Sequence, residues 1–199
     1  MSVVEVGVLA LQGGVREHAL AVQTAGGSWR PVRRPEDLEG IDALIIPGGE
    51  STTIGRLAGI YGLIDPLRSA IAGGLPTFGT CAGMILLAAG VTGVDQPQLG
   101  VLDIIVERNA FGRQNESFEA NLMIDGLDEP FRAVFIRAPW VAKVGGGVEV
   151  VAEIDHHPVM VRQGNIMASS FHPELTRDVR IHTMLLEVAE HRRRIDGDH

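Results

Sequence analysis

With a single cysteine in 199 residues, the chain can form no internal disulfide, which fits a reducing compartment. Basic charge is also scarce. Seventeen lysines and arginines stand against 25 acidic residues, a formal net charge of −8, so a nucleic-acid partner would need a local basic patch. The one candidate patch, His191-Arg192-Arg193-Arg194, ends a predicted helix, where cations complement the negative end of the dipole and read as a solvated terminus. Long hydrophobic runs are missing too. The apolar stretch from Val3 to Leu11 is interrupted by Glu5, lacks a basic leader and is far too short to span a bilayer, so a soluble, cytoplasmic protein is expected. No linker, internal repeat or low-complexity segment divides the sequence. Its 45% hydrophobic content suffices for one sizeable core, and residues 1–199 are expected to form a single domain.

What is present is an alternation of strands and helices. Val3–Leu11 reads as a strand, Val15–Ala25 as a helix closed by Gly26-Gly27, and Ser28–Val32 and Ala43–Ile46 as strands. Thr52–Leu57 and Leu63–Ala72 are predicted helical, Pro76–Gly79 a strand, and Ala82–Ala89 a helix. This pattern predicts an α/β fold with a doubly wound, mostly parallel sheet flanked by helices. After Gly100 the runs turn β-rich, at Leu102–Glu107, Phe118–Met123, Ala133–Ile136, Val148–Ile154, Val159–Arg162 and Ile166–Ser170, and most of them predict added antiparallel strands or extensions of the sheet. Asp178–Arg193 closes the chain as an amphipathic helix.

The lone cysteine sits where chemistry is expected. In Gly79-Thr80-Cys81-Ala82-Gly83, glycines at i−2 and i+2 mark a sharp turn from strand to helix that holds the sulfur up and exposed. Free N–H groups and the positive dipole end at the start of the next helix favour the thiolate. A lone cysteine is more often a small buried hydrophobe. Here a second motif, His172-Pro173-Glu174, supplies a base and a carboxylate. In an extended segment His172 and Glu174 would point to one side, with Pro173 keeping the backbone out of the helical region. One imidazole nitrogen is then free to face Cys81 while Glu174 accepts a hydrogen bond from the other, a nucleophile-base-carboxylate triad. Taken alone, the tripeptide also fits a capped loop before a helix.

A third segment, Ala43-Leu44-Ile45-Ile46-Pro47-Gly48-Gly49-Glu50-Ser51, reads as a buried strand, a glycine turn and a helix cap. Backbone N–H groups of Gly48 or Gly49, together with that of Ala82, are the expected oxyanion hole of an acyl intermediate. Arg108 and Arg137 each follow a β-like run. From the residues alone they are either surface ion-pair formers or guanidiniums placed for a substrate carboxylate. His156-His157 brings metal binding to mind, but neighbouring strand residues point oppositely and no acidic or cysteine cluster has ligand spacing, so no metal is expected.

These motifs, in this order, resemble those of the triad glutamine amidotransferases. The resemblance narrows with Leu9-Ala10-Leu11-Gln12-Gly13-Gly14-Val15-Arg16-Glu17-His18, with Val106 to Gln114 and with Phe135-Ile136-Arg137-Ala138-Pro139, which look like the glutaminase subunits of pyridoxal 5′-phosphate synthase. The likeness runs from about Val3 to the last helix. Gly14 and Met84 depart from the expected alanine and leucine, and neither touches the triad. The resemblance implies a flavodoxin-like fold and hydrolysis of L-glutamine to glutamate and ammonia through a Cys81 thioester, with no cofactor. It implies glutamine binding by Gly49, Glu50, Ser51, Arg108, Ile136 and Arg137. It also implies a partner synthase of (β/α)8-barrel fold in a hetero-oligomeric complex, which receives the ammonia. Gln12, Arg16 and Glu17, at the end of the first strand, are expected to meet that partner and relay activation. Other readings are a glutaminase serving another amidotransferase pathway, a related cysteine amidase or peptidase, and a non-catalytic binding module.

Overall fold

The computed structural model describes residues 3–111 and 117–197. In chain order its elements are β1 (Glu5–Leu9), α1 (Val15–Thr24), β2 (Ser28–Val32), β3 (Ala43–Ile46), α2 (Ser51–Ile60), α3 (Ile64–Ala72), β4 (Thr77–Thr80), α4 (Ala82–Leu87) and β5 (Ala88–Val91). There follow β6 (Leu102–Glu107), β7 (Ser117–Leu122), β8 (Phe131–Ile136), β9 (Trp140–Val144), β10 (Glu149–Ile154), β11 (His157–Gln163), β12 (Ile166–Ser169) and α5 (Arg180–Gly197). Short 3₁₀ turns occupy Pro35–Leu38 and Pro173–Leu175.

Seven strands pair in the order β10-β11-β12-β4-β3-β1-β2. The pairings from β12 through β2 are parallel, and β11 and β10 extend one edge antiparallel. Strand β3, and β1 after Glu5, are apolar at consecutive positions because both faces of the sheet are covered. In β3, Leu44 and Ile46 pack with residues of α2, α3 and α4, while Ala43 and Ile45 pack with residues of α1, α5 and β8. All four are fully buried. Truncating Ile45 to alanine would open a cavity in the second layer at a cost of about 2–5 kcal/mol.

The strand-helix alternation read from the sequence is present, with three differences. The helix after Cys81 stops at Leu87 instead of Ala89, because Ala88 turns extended (φ −59°, ψ 153°) and pairs with Leu102 of β6. Strand β5, which starts where that helix stops, was not anticipated, and neither was strand β9. Only Val141 of its five residues is buried, so it carries no alternating pattern, and its pairing with β6 is what makes it a strand. Helix α5 begins at Arg180 and runs past Arg193 to Gly197, with Arg192 paired to Asp196 one turn on at 3.2 Å. The parallel strands β1, β3, β4 and β12 direct their carboxyl ends to one edge, where ligand crevices of such sheets form.

Candidate active site

Strand β4 ends at Thr80 and α4 begins at Ala82, so Cys81 makes the turn alone, at φ 48° and ψ −101°. A side-chain-bearing residue in this region costs on the order of 1–3 kcal/mol and persists only where its surroundings fix it. Here the Cys81 N–H donates to the Ser169 carbonyl at 2.7 Å, and the Cys81 carbonyl accepts from the Ile85 N–H at 3.2 Å. The flanking glycines are sterically required. A Cβ on Gly79 would lie 2.7 Å from the Gly83 carbonyl carbon, and one on Gly83 would lie 2.0 Å from the Ile46 oxygen.

His172 and Glu174 do meet, though not by the extended geometry expected from the sequence. His172 (φ −108°, ψ 85°) precedes the 3₁₀ turn Pro173–Leu175, and Pro173 suits the first position of that turn because its φ is already set. The turn brings Glu174 Oε1 to 2.7 Å from His172 Nδ1. The His172 N–H donates to the Val134 carbonyl at 2.8 Å, tying this turn to β8. Gly48 packs against the same group: a Cβ there would lie 2.4 Å from His172 Cε1 and 3.4 Å from Cys81 Cβ. Burial works to lower the His172 pKa, but hydrogen bonds and charge from Cys81 and Glu174 outweigh it and raise it to about 10. For Glu174, burial works upward, and the facing His18 and His172 imidazoles hold the carboxyl below its ordinary range. A nucleophile, a cationic imidazole and its carboxylate thus stand in line.

In front of them opens a cavity of about 310 Å³. Cys81, Ala82 and His172 line it, and so do Gly49, Glu50, Ser51, Arg108, Ile136 and Arg137, the six residues tied to glutamine by resemblance. Gln12, Ile85 and Asn109 complete the lining. Each polar group reaches the cavity from the end of a strand or the start of a helix. Glu50 caps α2, accepting from the Thr52 and Thr53 N–H groups at 3.3 and 2.8 Å, and pairs with Arg108 Nη2 at 3.2 Å. Burial works to raise its pKa, but these N–H groups, the Thr53 hydroxyl and Arg108 keep it lowered. Arg137, at φ 44°, has no hydrogen-bond or ion-pair partner among the described residues, so its guanidinium is free to meet a ligand carboxylate.

The expected oxyanion donors separate here. The Gly48 N–H already donates to Thr80 Oγ1 at 2.9 Å and is not available to a substrate oxygen. Gly49 has no N–H acceptor among the described residues, and Ala82 occupies the first turn of α4, where N–H groups lack an intrahelical partner. Gln12 braces the turn: its Oε1 accepts from the Glu50 N–H at 2.8 Å, and a Cβ on Gly49 would fall 2.3 Å from that oxygen. Arg16 and Glu17 sit on the exposed face of α1, outside the cavity lining.

Sequence reasoning passed over several residues that shape this site. Gln96 Oε1 accepts from Ser51 Oγ at 3.3 Å, Thr52 Oγ1 at 3.4 Å and Arg108 Nη1 at 3.2 Å, bracing the Glu50–Arg108 wall. It lies in an irregular stretch whose sequence carries no signal for it. Thr80 and His18 were visible within quoted motifs, but nothing in the pattern said that both are buried beside Glu174. His157 stacks on Trp140, with ring centres 3.6 Å apart. In the terminal patch, Arg192 donates to the Gly73 carbonyl and Arg193 reaches Asp42 at 3.5 Å. Residues 112–114 of the motif that follows Val106 lie outside the described residues.

Residues 8–191 match the model of the SNO glutamine amidotransferase family. A protein of Parafrankia sp. named pyridoxal 5′-phosphate synthase subunit PdxT is 58% identical over 193 residues, with 94% of each chain covered. One of the same name from Pelotomaculum thermopropionicum is 60% identical over 184 residues, covering 92% of this chain and 94% of that protein. A crystal structure of a glutamine amidotransferase, 56% identical, superposes with a TM-score of 0.90 over 93% of this chain and 98% of the other.

Proposed function

This chain belongs to the SNO glutamine amidotransferase family, and on that premise we propose that it is the glutaminase subunit of a pyridoxal 5′-phosphate synthase, hydrolysing L-glutamine and delivering ammonia to the synthase subunit. The observation that carries the reading is the convergence, on one cavity, of Cys81, His172 and the unpartnered Arg137, with Glu174 directly behind His172.

Substrate enters with its carboxylate toward Arg137 and its ammonium toward Glu50. The Cys81 thiolate attacks the side-chain amide carbon, and the oxyanion that forms is met by the N–H groups of Gly49 and Ala82. His172 gives its proton to the departing nitrogen, so ammonia leaves and a thioester remains. His172, now neutral, takes a proton from water as that water attacks the thioester, and glutamate and the thiolate are released. Glu174 fixes the imidazole orientation throughout. Every proton and bond in this cycle is handled by the chain's own residues.

The whole chain acts as one glutaminase domain in the cytoplasm, bound to a synthase subunit of (β/α)8-barrel fold in a hetero-oligomer. Gln12 lines the cavity and braces the Gly48-Gly49-Glu50 turn, and Arg16 and Glu17, exposed on α1, are the charges such a partner would meet on its way to adjusting that turn. The test is ammonia release from glutamine by the isolated chain, by the chain with its synthase, and by Gln12→Ala with synthase, with asparagine and peptide amides as controls. Turnover of glutamine alone, rising with the synthase, is expected. Equal turnover of asparagine or peptide amides would make the protein a general amidase. Equal rates in all three glutamine samples would remove Gln12 from any activating role.

A further inference from the structure

Behind Glu174, on the side away from His172, lies a buried polar cluster that the glutaminase chemistry leaves unused. His18 of α1 and His182 of α5 are both fully buried, with His18 Nδ1 3.0 Å from His182 Nε2. The other nitrogen, His18 Nε2, lies 3.1 Å from Thr80 Oγ1 and 3.5 Å from Glu174 Oε2. Thr80 Oγ1 also accepts the Gly48 N–H, so the cluster touches both the carboxylate and the turn that carries Gly49.

Two arrangements of the ring protons fit these distances. With the His18 proton on Nδ1, it donates to His182 Nε2, and the His182 proton must sit on Nδ1. That atom is buried and has no partner among the described residues. His18 Nε2 then accepts the Thr80 hydroxyl proton and turns the same lone pair toward the Glu174 carboxylate. With the proton on Nε2, His182 Nε2–H donates to His18 Nδ1, and the His18 N–H faces Thr80 Oγ1 and Glu174 Oε2. This second arrangement leaves over a lone pair on His182 and the rotatable Thr80 hydroxyl proton. A fixed buried donor without an acceptor is the costlier defect, and a lone pair aimed at a buried carboxylate adds to it. Glu174 Oε2 is itself buried without a hydrogen-bond partner among the described residues, and His18 Nε2 lies 3.5 Å from it. Charge therefore selects the second arrangement.

We infer that His18, held as the Nε2–H tautomer by His182, is a positioning residue that fixes the Glu174 carboxylate and, through Thr80, the Gly48-Gly49 turn. This rests on the reading of Cys81, His172 and Glu174 as the catalytic triad. His18 does not line the cavity and acts only through Glu174 and Thr80. The other charged groups that face it are His172 and Glu17.

The tautomer is read directly on the unaltered protein by nitrogen-15 NMR of labelled histidine. A proton on His18 Nε2 is expected, and a proton on Nδ1 overturns the inference. In the complex with synthase, His18→Asn keeps an amide near Nδ1 and loses the donor to Glu174, whereas His18→Gln places an amide donor near Nε2. His18→Asn should lower glutaminase kcat roughly tenfold, the effect of removing the N–H that faces a buried carboxylate, at unchanged KM. Its acid limb of kcat/KM should move to higher pH, because Glu174 loses the N–H that faces its buried oxygen and becomes easier to protonate. His18→Gln should recover most of both. A folded His18→Asn protein with the acid limb unmoved, or His18→Gln no better than His18→Asn, refutes the positioning role. If the unaltered complex releases no ammonia, the triad reading fails on its own, and the tautomer still decides the present one.

Discussion

The two sides of Glu174 hold the same kind of residue in opposite states. On the cavity side, His172 has its pKa raised to about 10, because Cys81 and Glu174 both favour its cationic form. On the inner side, burial is the leading cause that lowers His18, and it takes His182 down to about 3. All three rings are largely or fully removed from water, and burial works in the same direction on each. What differs is counter-charge: His172 stands between a thiol and a carboxylate, His18 shares that carboxylate with His172, and His182 faces another imidazole. Burial alone gives a neutral histidine fit for structure, and adding two acidic partners gives a proton donor.

The sharpest way to break this comparison is to remove the nucleophile. Cys81→Ala should lower glutamine turnover by about 10⁶-fold while leaving the unfolding temperature nearly unchanged, as members of such a unit act together. Significant turnover by a folded Cys81→Ala protein would falsify the assignment. His172→Asn should lose almost as much, and an electrophilic glutamine analogue should label its Cys81 far more slowly than that of the unaltered protein. Glu174→Gln comes next, with an expected loss of roughly 10²–10⁴-fold in kcat, since the neutral amide favours the wrong tautomer of His172. Full activity of Glu174→Gln across pH would make that residue structural.

Binding should respond less. Arg137→Ala removes a guanidinium with no competing partner among the described residues and should raise KM for glutamine by roughly 10- to 100-fold, the scale of a hydrogen-bonded charge. Arg108 is already held by Glu50 and Gln96, so Arg108→Ala should act partly by loosening that wall. A KM unchanged in Arg137→Ala would move the carboxylate site elsewhere in the cavity.

Activity aside, stability against pH should separate the two sides of Glu174 in sign. His182 has a folded pKa below its unfolded value, so stability present above pH 6.5 declines as pH falls toward about 3. The slope from one such histidine is about 1.4 kcal/mol per pH unit. His172 has a raised folded pKa, so its contribution is fully present below pH 6.5 and is lost as pH rises through about 10. Denaturant titrations from pH 4.5 to 10 should show a steeper acid loss that His182→Leu flattens and an alkaline loss that His172→Asn flattens. An acid limb unaffected by His182→Leu would mean that this ring is already charged in the folded state.

Local chemistry made much of this legible beforehand. The elbow around Cys81 could be read because Gly79 and Gly83 answer a steric demand only a few residues wide, and β3 could be read because strands covered on both faces are apolar at every position. The cavity residues were legible by resemblance, and the structure gathers all six on one wall system. The geometry between His172 and Glu174 was not legible, because an extended segment and a 3₁₀ turn both place i and i+2 within reach, and the contact with β8 decides between them. Strand β9 escaped for a related reason, since its only argument for being a strand is the partner it finds in β6.

The sequence by itself determined the sheet, the sharp turn at the sole cysteine and the identity of the chemistry-bearing residues, because periodicity, glycine placement and side-chain type are local properties. Tertiary structure alone decided which N–H groups stay free for an oxyanion, which arginine is free to bind and which histidines hold a proton. Those outcomes depend on what the far end of the chain brings within hydrogen-bond distance. Residue 18 meets residues 80, 174 and 182 only after the sheet has closed, and burial and counter-charge exist only then.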